Sequence, residues 1–232
     1  MNFQRRTRIK ICGLTREQDV DAAVEAGVDA VGFVMYRKSP RHVTPQRAGE
    51  LARRLPPFVT PVLLFVNEEP SKIVAAFDHL TTGLIQFHGD ESPAQCEAVA
   101  RACGRSWLRA ARIPLNDATA FDLLKFAEAY SHAQAILLDA HVEGYGGGGK
   151  TFNWSRLPPN AASHLVLSGG LTPANVTDGI LQVRPRGLSL AVDVSSGVEA
   201  DGPGGNPLKG IKDPEKIHQF VTAVRAADRQ LA

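Results

Sequence analysis

Nowhere in the 232 residues is there a run of about 18 consecutive apolar side chains, the least that would span a bilayer core. The basic opening MNFQRRTRIK also lacks the apolar stretch of a secretory leader. No membrane partner is expected, and the chain reads as cytoplasmic. Cysteine is scarce: Cys12, Cys96 and Cys103 are an odd number without CxxC spacing, which argues against a disulfide framework and against structural zinc. Neither sign of charge dominates. The 26 basic and 24 acidic side chains leave a formal charge of +2, and no long basic run could track a phosphate backbone, so nucleic acid is not an expected partner. With 44% hydrophobic and 22% charged residues, the composition excludes disordered and fibrous classes and allows a sizeable core.

What the sequence does have is alternation. Eight short β-rich runs, RIKICGL, AVGFVMY, TPVLLFV, LIQFHG, WLRAARI, AILLDAH, HLVLSGG and LSLAVDVSS, are separated by longer helix-like stretches. Nearly continuous apolar runs of this kind suit parallel strands covered on both faces. Thr44-Pro45, Ser92-Pro93, Thr172-Pro173 and Asp213-Pro214 each place a capping oxygen before a proline and so predict helix starts. Ser92 with Gln95, and Thr15 with Gln18, fit the reciprocal capping box. An open doubly wound sheet is the competing arrangement. Eight sequential units in this length fit better as one (β/α)8 barrel of the α/β class over 1–232, with residues 1–7 as a flexible tail.

Two segments break the spacing. Glu143 to Lys150 contains four consecutive glycines, and Glu199 to Lys209, EADGPGGNPLK, follows the eighth strand. Neither reads as helix or strand. As loops after barrel strands they either border a ligand, the glycine loop closing over it, or are mobile surface.

A barrel points the C-terminal ends of its strands at one mouth, so polar residues at those ends are the candidates for chemistry. Cys12 ends the first strand. A buried cysteine usually just packs, but Lys10 lies two residues earlier on the same strand face, where an ammonium favours thiolate. Asp139 follows AILL, where desolvation would raise its pKa and suit a general acid, the alternative being a rim cap or salt bridge. Asp139, His141, His88 and Asp90 are types that could ligate a metal, but the spacings HxH and HExxH are absent and no metal is assigned. Leu167 to Asn175, SGG before a capped helix start, and Asp193 to Gly197, DVSSG, are successive loops that would hold phosphate, or supply turns only. Arg41 carries a fork suited to a carboxylate, or is a solvated surface side chain.

The segments KICGLT, SPRHV, ILLDA, SGGLTPANV and VDVSSGVE, in this order, are similar to those of the phosphoribosylanthranilate isomerase family, and the resemblance runs over essentially the whole chain. It implies a (β/α)8 barrel that needs no cofactor and no metal, and an Amadori rearrangement in tryptophan biosynthesis acting on a small phosphosugar-anthranilate substrate, in a monomer or homodimer. Carried over, Cys12 is the general base and Asp139 the general acid. Arg41 takes the anthranilate carboxylate, while Gly169, Gly170, Asp193, Ser195 and Ser196 take the phosphate end. His88 and Lys10 are further candidates for substrate contact. Two departures fall in or beside the glycine loop: Gly148 stands where the family usually has threonine or serine, and Asn153 where it has aspartate. The alternatives are another phosphosugar barrel, of the indole-glycerol-phosphate synthase type, and a barrel that binds phosphorylated ligands without catalysis.

Overall fold

Runs such as TPVLLF and AILLDA bury both faces only if each face is covered, and the fold achieves this by closing them into a ring. The computed structural model describes residues 6–115, 121–141 and 151–231. All eight expected strands form: β1 (Arg8–Cys12), β2 (Ala30–Val34), β3 (Thr60–Phe65), β4 (Leu84–Phe87), β5 (Trp107–Ile113), β6 (Ala135–Ala140), β7 (His164–Leu167) and β8 (Ser189–Val194). Each pairs in parallel with the next, and β8 returns to β1, so the barrel is closed. Around it stand α1 (Glu17–Glu25), α2 (Pro45–Ala52), α3 (Pro70–Ala76), α4 (Pro93–Cys103), α5 (Leu123–Ala129), α6 (Val176–Val183) and α7 (Pro214–Gln230). The (β/α)8 architecture expected from the sequence is the one observed. Among the described residues no helix is long and apolar enough to cross a membrane.

The strand period of two divides each strand between two cores. Ile9, Ile11, Val31, Phe33, Ile85, Phe87, Ile136, Leu138, Leu165, Leu167 and Val192 face the helices in one large cluster. Val62, Leu108, Ala110, Ala135, Leu137 and Val166 fill the barrel axis. The alternation on β6 therefore turns Asp139 inward, two residues above Leu137, and that on β1 turns Lys10 and Cys12 inward between Ile9 and Ile11 and beyond. Cys12 packs with Val34, Leu64 and Val66 at the upper end of the interior. Cys96 is fully buried and Cys103 partly so, and both are free thiols in or beside the outer core.

Three of the expected caps are present. Thr44 Oγ1 accepts from Arg47 N at 3.1 Å, Ser92 and Gln95 form the reciprocal box, and Asp213 accepts from Glu215 N and Lys216 N. Two are not. The Thr15 hydroxyl instead donates to Gly210 O at 2.7 Å, and α1 begins two residues later without a side-chain cap. Thr172-Pro173 opens a turn rather than a helix: Asn175 Oδ1 accepts from Thr172 N at 2.8 Å, and α6 starts only at Val176. The glycine-rich stretch after β8 also departs from expectation. Glu199–Asp201 (β9) and Pro207–Lys212 (β10) pair as an antiparallel hairpin. Its prolines sit at the turn and at the first strand position, where no ladder N–H is missed. The Glu143 to Lys150 loop, with Gly148, lies outside the described residues.

Thr7, expected in a free tail, is instead fully buried. Its N–H and hydroxyl both donate to Asp228 on α7, at 2.9 and 2.6 Å, and Arg184 pairs with the same carboxylate at 2.5 Å. Residues 1–5 lie outside the described residues. Asp228→Ala strands a backbone donor and a guanidinium that are both mostly buried, and is expected to cost about 2–3 kcal/mol in urea unfolding. An unchanged midpoint would mean that this anchor contributes nothing.

Candidate active site

The inward positions at the tops of the strands carry polar groups where the lower positions are apolar. On β1, Lys10 Nζ stands 2.9 Å from Asp193 Oδ1 on the neighbouring β8, both nearly sealed from solvent. Strand register explains the pairing, because Lys10 and Asp193 are direct partners in the β1–β8 ladder. Cys12 lies next up on the same face, also buried. On β2, Gly32 makes room for both: a Cβ there would stand 2.6 Å from Cys12 Sγ and 3.0 Å from Lys10 Nζ. The sulfur and the ammonium therefore share one small space, as the i, i+2 spacing implied.

The electrostatics differ from the simple expectation. Burial alone would pull the Lys10 pKa down, but Asp193 and Cys12 outweigh it and the value rises. Lys10 is firmly charged, yet that charge is already matched by Asp193. Burial pushes the Cys12 thiol up, with Lys10 opposing and Asp193 reinforcing the rise. Lys10 thus does not by itself leave the thiol ionised.

On β6, Asp139 is buried with its Oδ2 2.9 Å from His88 Nε2, just beyond β4. Gln86 Nε2 stands 3.0 Å from His88 Nδ1. With the Gln86 amide donating, His88 holds its proton on Nε2 and donates it to Asp139. His88, expected against substrate, is first of all the partner of the candidate acid. Asp90 turns instead to Asn67 and Arg112, and His141 is exposed, so the four residues weighed as metal ligands do not converge.

The loops after β7 and β8 connect the two halves. Gly169 and Gly170 take φ of +77° and +64°, the left-handed region open to glycine. A Cβ on Gly169 would meet Asp139 Oδ1 at 3.0 Å. Adjacent Ser168 approaches Asp193 Oδ2 with its hydroxyl, at 3.5 Å. Asp139, the β7 loop, Asp193, Lys10 and Cys12 thus form one continuous surface on the barrel's C-terminal face. Ser195 and Ser196 lie beside it at the end of β8, Ser196 opening a short 3-10 turn. Asp193 was expected at the phosphate end. An ionised carboxylate has no proton to donate to an anion, and the structure gives it to Lys10.

Arg41, also buried, does not present a free fork. Its Nε and Nη2 donate to Glu199 Oε1 and Oε2 at 2.6 and 2.8 Å, leaving Nη1 available. Glu199 further accepts from Gly210 N at 2.8 Å and from Lys212 Nζ at 3.3 Å. Burial opposes ionisation of Glu199, but Arg41, Lys212 and the Gly210 N–H overcome it and hold the carboxyl below its usual range. Lys212 also donates to Ser195 O at 2.9 Å, and burial draws its pKa down to about 8. Glu199, Lys212, Gln86 and Gly32 join the site without having been expected there from the sequence. The signal open to it was a glycine inside an apolar strand, which marks close approach. Asn153, placed where aspartate is usual, still caps the 3-10 turn that follows, accepting from Ser155 N at 3.1 Å.

A sequence model described as N-(5'phosphoribosyl)anthranilate (PRA) isomerase matches residues 9–223. The chain belongs to this family. The N-(5'-phosphoribosyl)anthranilate isomerase of Methylibium petroleiphilum is 61% identical over 227 residues, covering 98% of each chain. The crystal structure of phosphoribosyl anthranilate isomerase from Thermotoga maritima superposes with a TM-score of 0.79 at 41% identity, covering 95% of this chain and 99% of the other. A further phosphoribosyl anthranilate isomerase, solved in complex with reduced 1-(o-carboxyphenylamino)-1-deoxyribulose 5-phosphate, superposes with a TM-score of 0.74 at 37% identity, covering 95% and 99%.

Family membership does not by itself say how tightly the site is built, and Gly32 tests that. Gly32→Ala crowds both the Cys12 sulfur and the Lys10 ammonium, and at least the sulfur must move. A displacement near 1 Å is expected to lower kcat about 100-fold with an unchanged circular dichroism spectrum. Full activity in the folded variant would show that the sulfur position is not critical.

Proposed function

We propose that this mouth converts N-(5'-phosphoribosyl)anthranilate to 1-(2-carboxyphenylamino)-1-deoxyribulose 5-phosphate, the isomerisation for which the family is named, within tryptophan biosynthesis. The observation that carries the reading is a buried carboxyl and a buried thiol from β6 and β1 on one face, joined through the β7 loop and the Lys10–Asp193 pair. Asp139 gives a proton to the furanose ring oxygen; the C1'–O bond breaks, the sugar opens, and the anilino nitrogen lone pair forms an iminium ion. That cation acidifies the C2' hydrogen, which Cys12 thiolate removes. The electron pair left at C2' neutralises the iminium and gives an enolamine. Protonation at C1' and loss of the enol proton then yield the ketone.

The remaining groups hold the substrate between acid and base. Arg41 Nη1 reaches the anthranilate carboxylate while Glu199 keeps the guanidinium still. The backbone of Gly169 and Gly170, with the hydroxyls of Ser195 and Ser196, receives the phosphate. His88 donates to Asp139 and so stabilises the carboxylate left after proton transfer. Asp193 orients Lys10 beside the sulfur.

Complementation of a tryptophan auxotroph lacking the isomerase is the direct test. The wild-type gene is expected to restore growth, with Cys12→Ala and Asp139→Asn failing. In purified protein each variant should lose about 10²- to 10⁴-fold in kcat while still binding a product analogue. Turnover preserved in either variant would remove that residue from the mechanism. The reaction needs one group protonated and the other ionised, so kcat is expected to fall toward both low and high pH. A flat profile in a chemistry-limited assay would contradict this pair.

A further inference from the structure

The buried charges around the mouth do not cancel. Three cations, Lys10, Arg41 and Lys212, meet two carboxylates, Asp193 and Glu199. Lys10 is spent on Asp193, and Arg41 is bidentate to Glu199, so Lys212 shares that same carboxylate at 3.3 Å and the cluster holds one cation in excess. Asp19, the other carboxylate next to β10, touches Lys212 only through its backbone N–H and is paired with Arg16. His88 and Asp139 bond each other, and Arg112, beside Asp139 in the β5–β6 ladder, pairs with Asp90 at 3.7 Å, so neither pair adds to the balance. A side chain with no exposed surface is a costly place for an ammonium whose one carboxylate is already held by a guanidinium. Something anionic in the cluster should repay it.

The geometry identifies what that is. Lys212 Nζ donates to Ser195 O at 2.9 Å and approaches Ser195 Oγ at 3.4 Å. The β1–β8 ladder ends where Ile11, the residue before Cys12, pairs with Val194, the residue before Ser195. Ser195 Oγ and Arg41 Cδ also close on Gly13, the residue after Cys12, where a Cβ would stand 3.1 and 2.6 Å from them. Lys212 thus reaches the neighbourhood of the thiol through Ser195, from a hairpin separate from both β1 and β8.

We propose that Lys212 is a positioning residue whose uncancelled charge sustains Cys12 as a thiolate, so that deprotonating the sulfur brings the buried cluster to neutrality. The inference rests on the reading of Cys12 as the base. Lys212 is among the groups that pull the thiol pKa down against burial, after Lys10, and the lysine's own value near 8 means its support is present below that pH and withdrawn above it. The β9–β10 hairpin therefore does more than cover the end of the barrel. It delivers to the base, from some 200 residues along the chain, a charge that β1 cannot keep for itself.

The test is a direct titration of the thiol. Cysteine labelled with 13C at Cβ gives three signals, and Cys12→Ala identifies the one of interest. Lys212→Met is expected to raise the Cys12 midpoint by about one pH unit and to lower kcat at neutral pH, with Lys212→Arg restoring both toward wild type. Lys212→Gln keeps a donor for Ser195 O without the charge and should raise the midpoint as Lys212→Met does, whereas a merely structural role would leave it at the wild-type value. This arm also decides the matter if Lys212→Met does not fold. An unmoved midpoint in Lys212→Met, or in Lys212→Gln, would overturn the proposal. Either result leaves the isomerase reading standing, since that reading is tested separately, by complementation with the wild-type gene and by the turnover of Cys12→Ala and Asp139→Asn.

Discussion

Closure of eight parallel strands imposes a rule on every side chain in them: alternate residues face the axis, and the last inward one on each strand opens onto a single face. The interior below that level is apolar, built from Val62, Leu108, Ala110, Leu137 and Val166. Above that apolar layer Lys10, Cys12, Gln86, His88, Asp139 and Asp193 come together from four different strands. Without closure β1 and β8 would be distant edges, and the Lys10–Asp193 pair that spans them would not exist. Acid and base share a mouth because the ring is shut.

Burying this many ionisable groups is costly, and the structure offsets the cost by matching them. A carboxylate meets each of two cations at 2.6 to 2.9 Å, and further donors saturate Glu199. Pairs held this way contribute little net stability. What they provide is position: a guanidinium with one free nitrogen edge, an ammonium locked beside a sulfur, and an imidazole held between Gln86 and Asp139. The β9–β10 hairpin is part of that arrangement, since Glu199 and Lys212 both come from it.

The strands were legible because parallel strands covered on both faces must be almost wholly apolar, and Cys12 and Asp139 were legible because they interrupt such runs at their ends. Partnerships were not legible. Lys10 and Asp193 are 183 positions apart, and Arg41 and Glu199 are 158 apart, so only the closed ladder and the hairpin make them neighbours. The hairpin itself was hidden by its glycines and prolines, which read as loop although its ends pair around a buried glutamate. Local signals failed where another contact intervened, as when Thr15 spent its hydroxyl on Gly210 and the Thr172 N–H was drawn into a turn by Asn175 Oδ1. Thr7 likewise looked like tail and is instead tied to α7 by Asp228.

The central claim is that one sugar chain lies between the sulfur of Cys12 and the carboxyl of Asp139. The most direct measurement is a crystal structure of this protein with a reduced, unreactive product analogue. The account expects the C2' carbon about 3–3.5 Å from Cys12 Sγ, the former ring oxygen within hydrogen-bond reach of Asp139, and the phosphate against Gly169, Gly170, Ser195 and Ser196. An analogue bound with its chain turned away from either group, or on the opposite face of the barrel, would contradict it.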